Sequence, residues 1–290
     1  MVFLSHLIYG IQLGAIYALV ALGYSMVYGI IRLLNFAHGD IIMVASFVVW
    51  YLIARLGVPA WISIIICIGF TTLLGVVIEK VAYKPLRKSP TISLLITAIG
   101  ISFFLQNASQ LIFGADPRMF DNLFPGSSAI GTLSISNVAL VTIFAATVIM
   151  IVLTFLVNKT RMGRAMRAVS EDKSTAELMG INVNTTISFA FALGSALAAV
   201  AAILYCCSYT QISTTMGSML GLKAFVAAVL GGIGSIPGAM LGGILIGIAE
   251  NLTKAYISSS FADAIVFGIL IVVLIIRPTG LLGVKIREKV

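Results

Sequence analysis

Residues 138–157 read VALVTIFAATVIMIVLTFLV, without one charged side chain, and residues 158–184 read NKTRMGRAMRAVSEDKSTAELMGINVN. The first stretch has the roughly 20 apolar residues that a helix needs to cross about 30 Å of hydrocarbon. It lacks the polar face that a helix on a water-soluble protein turns outward. The second stretch opens with Lys159, Arg161, Arg164 and Arg167, the basic density that collects on the cytoplasmic side of a membrane. A membrane span followed by a cytoplasmic segment is the reading of these two stretches together.

Comparable apolar runs recur at 7–31, 60–81, 91–113 and 186–207, with shorter ones at 41–53 and 264–276. Over the whole chain 60% of residues are hydrophobic and 10% charged, where a soluble domain carries about 25% charged residues. That balance excludes a water-soluble fold, and it excludes disorder because so apolar a chain cannot stay solvated as a coil. No Lys or Arg precedes the first run and no small-residue cleavage site follows it, so the run is expected to stay as a membrane helix. The fold class expected is all-α: a polytopic integral membrane protein with about seven full spans plus an interrupted re-entrant helix pair. Residues 1–290 form a single transmembrane domain, with 158–185 as a cytoplasmic loop within it.

Three basic clusters set the orientation: Lys80, Lys84, Arg87 and Lys88; Lys159, Arg161, Arg164, Arg167 and Lys173; and Arg277, Lys285, Arg287 and Lys289. All three, with the C-terminus, are expected in the cytoplasm, and 114–137 outside. The net charge of +8 thus reports orientation in a lipid bilayer and gives no reason to invoke nucleic acid. The break Gly231-Gly-Ile-Gly-Ser-Ile-Pro-Gly238 frees backbone groups that hydrocarbon cannot satisfy. It is read as joining two half-helices that enter and leave on the outer side, followed by one full span. A weaker break, Leu34-Asn-Phe-Ala-His-Gly-Asp40, leaves the side of the N-terminus open.

Catalytic patterns are absent. His6 and His38 are the only histidines and no Gly-x-x-x-x-Gly-Lys-Ser/Thr loop exists, so neither a His-Glu-x-x-His metal site nor a P-loop can form. Cys67, Cys206 and Cys207 lie in apolar runs and are read as buried packing thiols. The expectation is a chain that is no enzyme, binds no metal or cofactor, and draws any ATP energy from partner subunits. In the cytoplasmic loop, Ser170 is read as the cap of a helix with Glu171 and Asp172 in its first turn, ending at Gly180. Ala176, Leu178 and Met179 give it an apolar knob beside Glu177, suited to docking in a groove on another protein. A solvated loop held near anionic lipid is the alternative.

The spacing Ala176-Glu-Leu-Met-Gly180 resembles the Glu-Ala-Ala-x-x-x-Gly coupling loop of bacterial ABC importer permeases, with Ser174 and Thr175 where that pattern has Glu and its first Ala. Four further stretches are more specific: Leu34–Asp40, Ile78-Glu-Lys-Val-Ala-Tyr-Lys-Pro-Leu-Arg87, Leu230–Gly238, and Arg277-Pro-Thr-Gly-Leu-Leu-Gly283. Together they resemble the branched-chain amino acid ABC transporter permease family, LivH-type. The resemblance implies a subunit of an importer for leucine, isoleucine and valine in the bacterial cytoplasmic (inner) membrane. It further implies a second homologous permease subunit, two ATP-binding cassette ATPase subunits that hydrolyse the ATP, and an extracytoplasmic amino-acid-binding protein. A urea or short-amide permease is the nearest rival reading, and an ion-coupled secondary transporter the rival from another class.

Asn35, His38 and Asp40 place polar groups in an apolar setting, where such groups face a bundle interior or a cavity; capping of the short helix by Asn35 or Asp40 is the plainer reading. Gln106, Asn107 and Gln110 are read on one helix face, and Gly234 and Ser235 join the candidates for the translocation path. Gly234, Gly238 and Gly242, with Gly243 and Gly247 on an adjacent stripe, are read as packing positions. Glu250 and Asp263 are placed near the outer interface, solvated. Without paired opposite charges at depth, the passage is expected to bind weakly, leaving the isolated permease without leucine affinity.

Overall fold

The computed structural model describes residues 2–31, 35–87, 89–130 and 133–283. Leu34, Lys88, Lys285, Arg287, Lys289 and the C-terminus itself, used above, lie outside these residues. The chain runs α1 (Val2–Ile31), α2 (His38–Trp50, continuing in wider turns to Arg55), α3 (Ala60–Ile78, continuing to Tyr83) and α4 (Thr91–Phe113). Short strands β1 (Arg118–Met119), β2 (Ser127–Ile130) and β3 (Leu133–Ser136) lead to α5 (Asn137–Lys159), α6 (Arg161–Glu171), α7 (Lys173–Leu178) and α8 (Val183–Ser208). β4 (Gln211–Ile212), α9 (Met216–Gly231), α10 (Ile236–Tyr256) and α11 (Ala262–Ile276) complete the described chain. Among the described residues, eight helical stretches are long and apolar enough to cross a membrane, with α9 shorter. Cys67, Cys206 and Cys207 are buried and free.

α1 is apolar all round, and almost every residue from Gly10 to Val27 is buried, as a helix without a polar face must be at the centre of a bundle. α11, equally apolar, buries only Ala262 and Val266 and leaves the rest of its surface for lipid. Because lipid tails are as apolar as leucine, helices associate here through close backbone packing. Gly10, Gly14, Gly243 and Gly247 line the α1–α10 seam, where a Cβ would meet the opposite backbone. Gly238 and Gly242 face Gly231 and Ala227 of α9 in the same manner. Gly234 lies outside the helices, with φ of +89°.

Contacts order the helix directions. Gln12 of α1 bonds Ser208 at the end of α8, while Gly23 packs on Gly194 further back along it, so the two are antiparallel. Gly14 meets Ile244 and Gly10 meets Ile248, which makes α10 antiparallel to α1 as well. Gly75 packs on Ser195 and Glu79 accepts from Ser188 at 2.6 Å, so α3 also opposes α8. β4, just after α8, pairs with β1. The start of α1, the strands and the α10–α11 turn therefore share one end of the bundle. The ends of α3 and α5, α6 with α7, and the end of α11 share the other, the basic end.

The interrupted pair is longer than two half-helices. α10 has 21 residues and is a full-length span, and the turn after α9 reaches the basic end. There the backbone N–H groups of Leu281 and Leu282, just past α11, donate to the carbonyls of Leu230 and Gly231, each at 2.9 Å. These bonds occupy carbonyls that the end of a helix leaves without intrahelical partners, so the break is satisfied inside protein. Both arms still open toward the strand end, and the start of α1 falls at the end opposite the basic clusters. Single cysteines at Leu4 and Asp121 should react with an impermeant thiol reagent from one side of the membrane, and one at Ser89 only from the other. Labelling of Leu4 and Ser89 from the same side would overturn this arrangement.

Candidate translocation and coupling sites

The break before α2 carries no side-chain cap: Ala37 precedes the helix without such a bond. Its polar groups serve the tertiary structure instead. Asn35 Oδ1 accepts from the Tyr83 hydroxyl at 2.7 Å, and the His38 ring stands edge-on to Tyr24 with centroids 4.8 Å apart. Asp40 Oδ1 accepts from Gln106 Nε2 at 2.9 Å, and that nitrogen is also 2.9 Å from Ser218 Oγ. Gly39 permits the layer to form, since a Cβ there would stand 2.2 Å from the Gly217 carbonyl oxygen. Asn35, His38 and Asp40 are all buried, tying α2 to α1, α3, α4 and α9.

The other path candidates are dispersed. Asn107 is exposed and donates only to the Phe103 carbonyl of its own helix at 2.7 Å, so it does not share the face of Gln106. Gln110 does, reaching Thr214 at 3.3 Å. Gly234 N–H donates to Ser25 Oγ at 3.1 Å, and Ser235 caps α10 by accepting from the Gly238 N–H at 3.2 Å. These last two belong to the basic end.

Glu250 is not a solvated residue at an interface. It is 1% exposed and accepts from Lys223 Nζ at 2.8 Å, Lys254 Nζ at 2.6 Å and the Tyr17 hydroxyl at 2.7 Å. Lys223 also pairs with Asp263 at 2.7 Å. Sequence reasoning missed this network, although Lys223, alone among charged residues in α9, was its signal: a lysine in an apolar helix demands an acidic partner. Glu79 is likewise buried, paired with Arg87 and Ser188. Opposite charges therefore do meet inside the bundle, and the premise for a passage without affinity does not hold. Beside Glu250 lies a cavity of about 150 Å³ lined by Tyr17, Tyr209, Met216, Met219, Leu220 and Lys254 among others. Tyr209 also borders a neutral cavity of about 340 Å³ that contains Gln12, Ser136, Ser208 and Asn251.

At the basic end, two short helices are capped in succession. Thr160 Oγ1 accepts from the Gly163 N–H at 3.1 Å to open α6, and Asp172 Oδ1 accepts from the Thr175 N–H at 2.6 Å to open α7. Ser170 is thus not the cap. It sits in the last turn of α6, donating to the Arg167 carbonyl at 2.7 Å, and Glu171 ends that helix. The Thr175 N–H and the Ser174 hydroxyl hold the Asp172 carboxyl below its ordinary pKa. Gly180, at φ +81°, ends α7 as expected, and the Ile181 N–H returns to the Ala176 carbonyl at 3.0 Å. Of the apolar knob, Ala176 turns inward at 3% exposure, whereas Leu178 and Met179 project at 87% and 78%. Glu177 is exposed beside them.

Residues 6–274 match the family described as branched-chain amino acid transport system / permease component. The chain is 44% identical to the high-affinity branched-chain amino acid transport system permease protein LivH of Escherichia coli K12, over 99% of this chain and 98% of that protein. It is 43% identical to the corresponding permease protein BraD of Pseudomonas aeruginosa over the same shares. It is 30% identical to a probable branched-chain amino acid transport permease protein LivH of Methanocaldococcus jannaschii, over 93% of this chain and 89% of that one. A polytopic helical chain with that match along almost its whole length belongs to the branched-chain amino acid transport system permease family.

Proposed function

We propose that the chain is the transmembrane permease subunit of an ATP-binding cassette importer for leucine, isoleucine and valine in a bacterial cytoplasmic membrane. In this reading residues 1–290 are one permease domain, and 158–185 are its cytoplasmic coupling loop. The observation that carries the reading is the tip Leu178–Met179, exposed on a doubly capped helix pair at the basic end of a chain that has no nucleotide loop of its own. An apolar tip on a short rigid helix suits a groove on a partner, and an ATPase subunit is the partner that supplies the missing energy. The substrate follows from the names of the relatives. A second homologous permease, two ATPase subunits and an extracytoplasmic binding protein complete the importer. Of the buried acids, Glu79 and Glu250 are held by Arg or Lys and leave no vacancy for a coupling cation, whereas Asp40 is held by the neutral Gln106. Proteoliposomes holding the full complex should take up leucine only with ATP and the binding protein. Uptake driven by an ion gradient without the ATPases would overturn the proposal, and ATP-dependent uptake of urea but not leucine would overturn its substrate.

A further inference from the structure

The charge network around Glu250 is more than a brace. Burying ions is costly, and replacing such pairs with apolar residues shows that they add little stability over apolar packing. Ionisable groups inside a membrane bundle therefore point first to function. Here two cations, Lys223 and Lys254, face two acids, Glu250 and Asp263, so the set is neutral. Its members differ in access: Glu250 and Lys223 are 1% and 10% exposed, while Lys254 is 34% exposed. The cavity of about 150 Å³ brings Lys254 and Glu250 together with Met216, Met219 and Leu220. Its lining combines both signs of charge with three tyrosines and three apolar side chains.

We propose that this cavity is a subsite for a zwitterionic amino acid with an apolar side chain, entered by exchange of partners with the Lys254–Glu250 pair. The inference rests on the amino-acid importer reading and deepens it by assigning a substrate contact to this chain. The ligand carboxylate takes the Lys254 ammonium, and the ligand ammonium takes the Glu250 oxygen that Lys254 releases. Tyr17 and Lys223 keep hold of Glu250 throughout. A zwitterion leaves the net charge of the network unchanged, whereas a simple carboxylate or amine would unbalance it. Since one ion pair is broken to make two, while the ligand sheds water, binding is weak, which a transit site requires because the solute must also leave. The two methionines are flexible enough to accept branched side chains of different shape. Tyr209, next to β4, borders the cavity, so it lies toward the strand end of the bundle, opposite the α6–α7 tip, and serves entry.

The test uses the full-length permease in lipid nanodiscs, without partners, and saturation-transfer NMR of L-leucine against empty nanodiscs. Leucine should give a saturable signal in the millimolar range. 4-Methylpentanoate and 3-methylbutylamine, each lacking one charge, should bind about tenfold more weakly or worse, as expected for loss of a charged hydrogen bond. Lys254→Met should weaken leucine by about tenfold, and Met219→Trp, at a position 45% exposed, should fill the cavity and abolish the signal. Ser136→Ala, in the neighbouring neutral cavity, should leave it unchanged. No saturable leucine signal with the wild-type chain, equal binding of the three probes, or wild-type binding by both Lys254→Met and Met219→Trp would each overturn the subsite. Failure here is separable from failure of the importer reading: ATP-driven uptake without this binding removes the subsite alone, and binding without ATP-driven uptake removes the importer alone.

Discussion

Gly247→Leu should cost the protein its α1–α10 core, seen as loss of monodisperse material on extraction and of a cooperative thermal transition. A Cβ at Gly247 would stand 2.1 Å from the Gly14 backbone nitrogen, and one at Gly14 would stand 2.6 Å from the Ile244 Cα. These neighbours are backbone, so no rotamer change relieves the collision, and the whole of α10 must move off α1. Overpacking a well-packed core costs about 1–3 kcal/mol and sometimes more; a leucine between two rigid helix backbones belongs at the upper end. Gly247→Ala should lower the midpoint with the fold retained. Gly100→Ala and Gly268→Ala are the controls, because nothing lies within 4 Å of the added Cβ at either position. A helical glycine replaced by alanine without a clash gains roughly 0.5–1 kcal/mol, so these two should hold or raise the midpoint. A Gly247→Leu protein as stable as the controls would refute the seam as the determinant of packing.

Leu178→Asp combined with Met179→Asp should abolish ATP-driven leucine uptake while leaving the permease folded. Both side chains are exposed, at 87% and 78%, and Met179 caps the end of α7 through backbone bonds alone, so these surface changes should alter stability by about 0.5 kcal/mol or less. A buried anchor in an interface is worth about 2 kcal/mol or more, so replacing two apolar side chains with charges should reduce uptake by well over tenfold. Copurification of the ATPase subunits should fall in parallel. Ala176→Arg is a poorer probe, since Ala176 is 3% exposed and the arginine would disturb the loop itself. Gly180→Pro is similarly compromised, because proline cannot adopt the φ of +81° found there. Normal uptake by the Leu178/Met179 double variant would remove the coupling role from this tip.

The boundaries of these two sites were legible to different degrees. Gly180 could be read as a helix end because its role is local: a helix that stops needs a residue tolerant of positive φ. The cap could not be placed as well. Serine and aspartate are both residue types that cap a helix by accepting from backbone N–H groups, and only the end of α6 at Glu171 shows that the helix restarts after Asp172. For the path, the polarity of Asn35, His38 and Asp40 marked a buried layer. Its members give no sign of their partners, and Asn107, next to Gln106 in sequence, points about 100° away from it on the helix.

Membrane class, the position of the spans and the charge asymmetry between the two ends were decided by the sequence itself. Each depends on composition counted over a segment and compared with the thickness of hydrocarbon, and no distant residue enters the comparison. Family membership was visible in the same way, through contiguous motifs such as Leu230–Gly238 and Arg277–Gly283. Tertiary structure alone decided that Lys223 reaches Glu250, that Asp40 reaches Gln106, and that the turn after α9 closes on Leu281 and Leu282. The physical reason lies in the helices: α1 and α3 carry no Asp, Glu, Lys or Arg, and α9 only Lys223. A helix without a polar face carries no periodic signal of which side meets which neighbour. In lipid that choice falls to small residues that let backbones approach and to lone charges that must find each other, and those matches exist only once the helices are assembled.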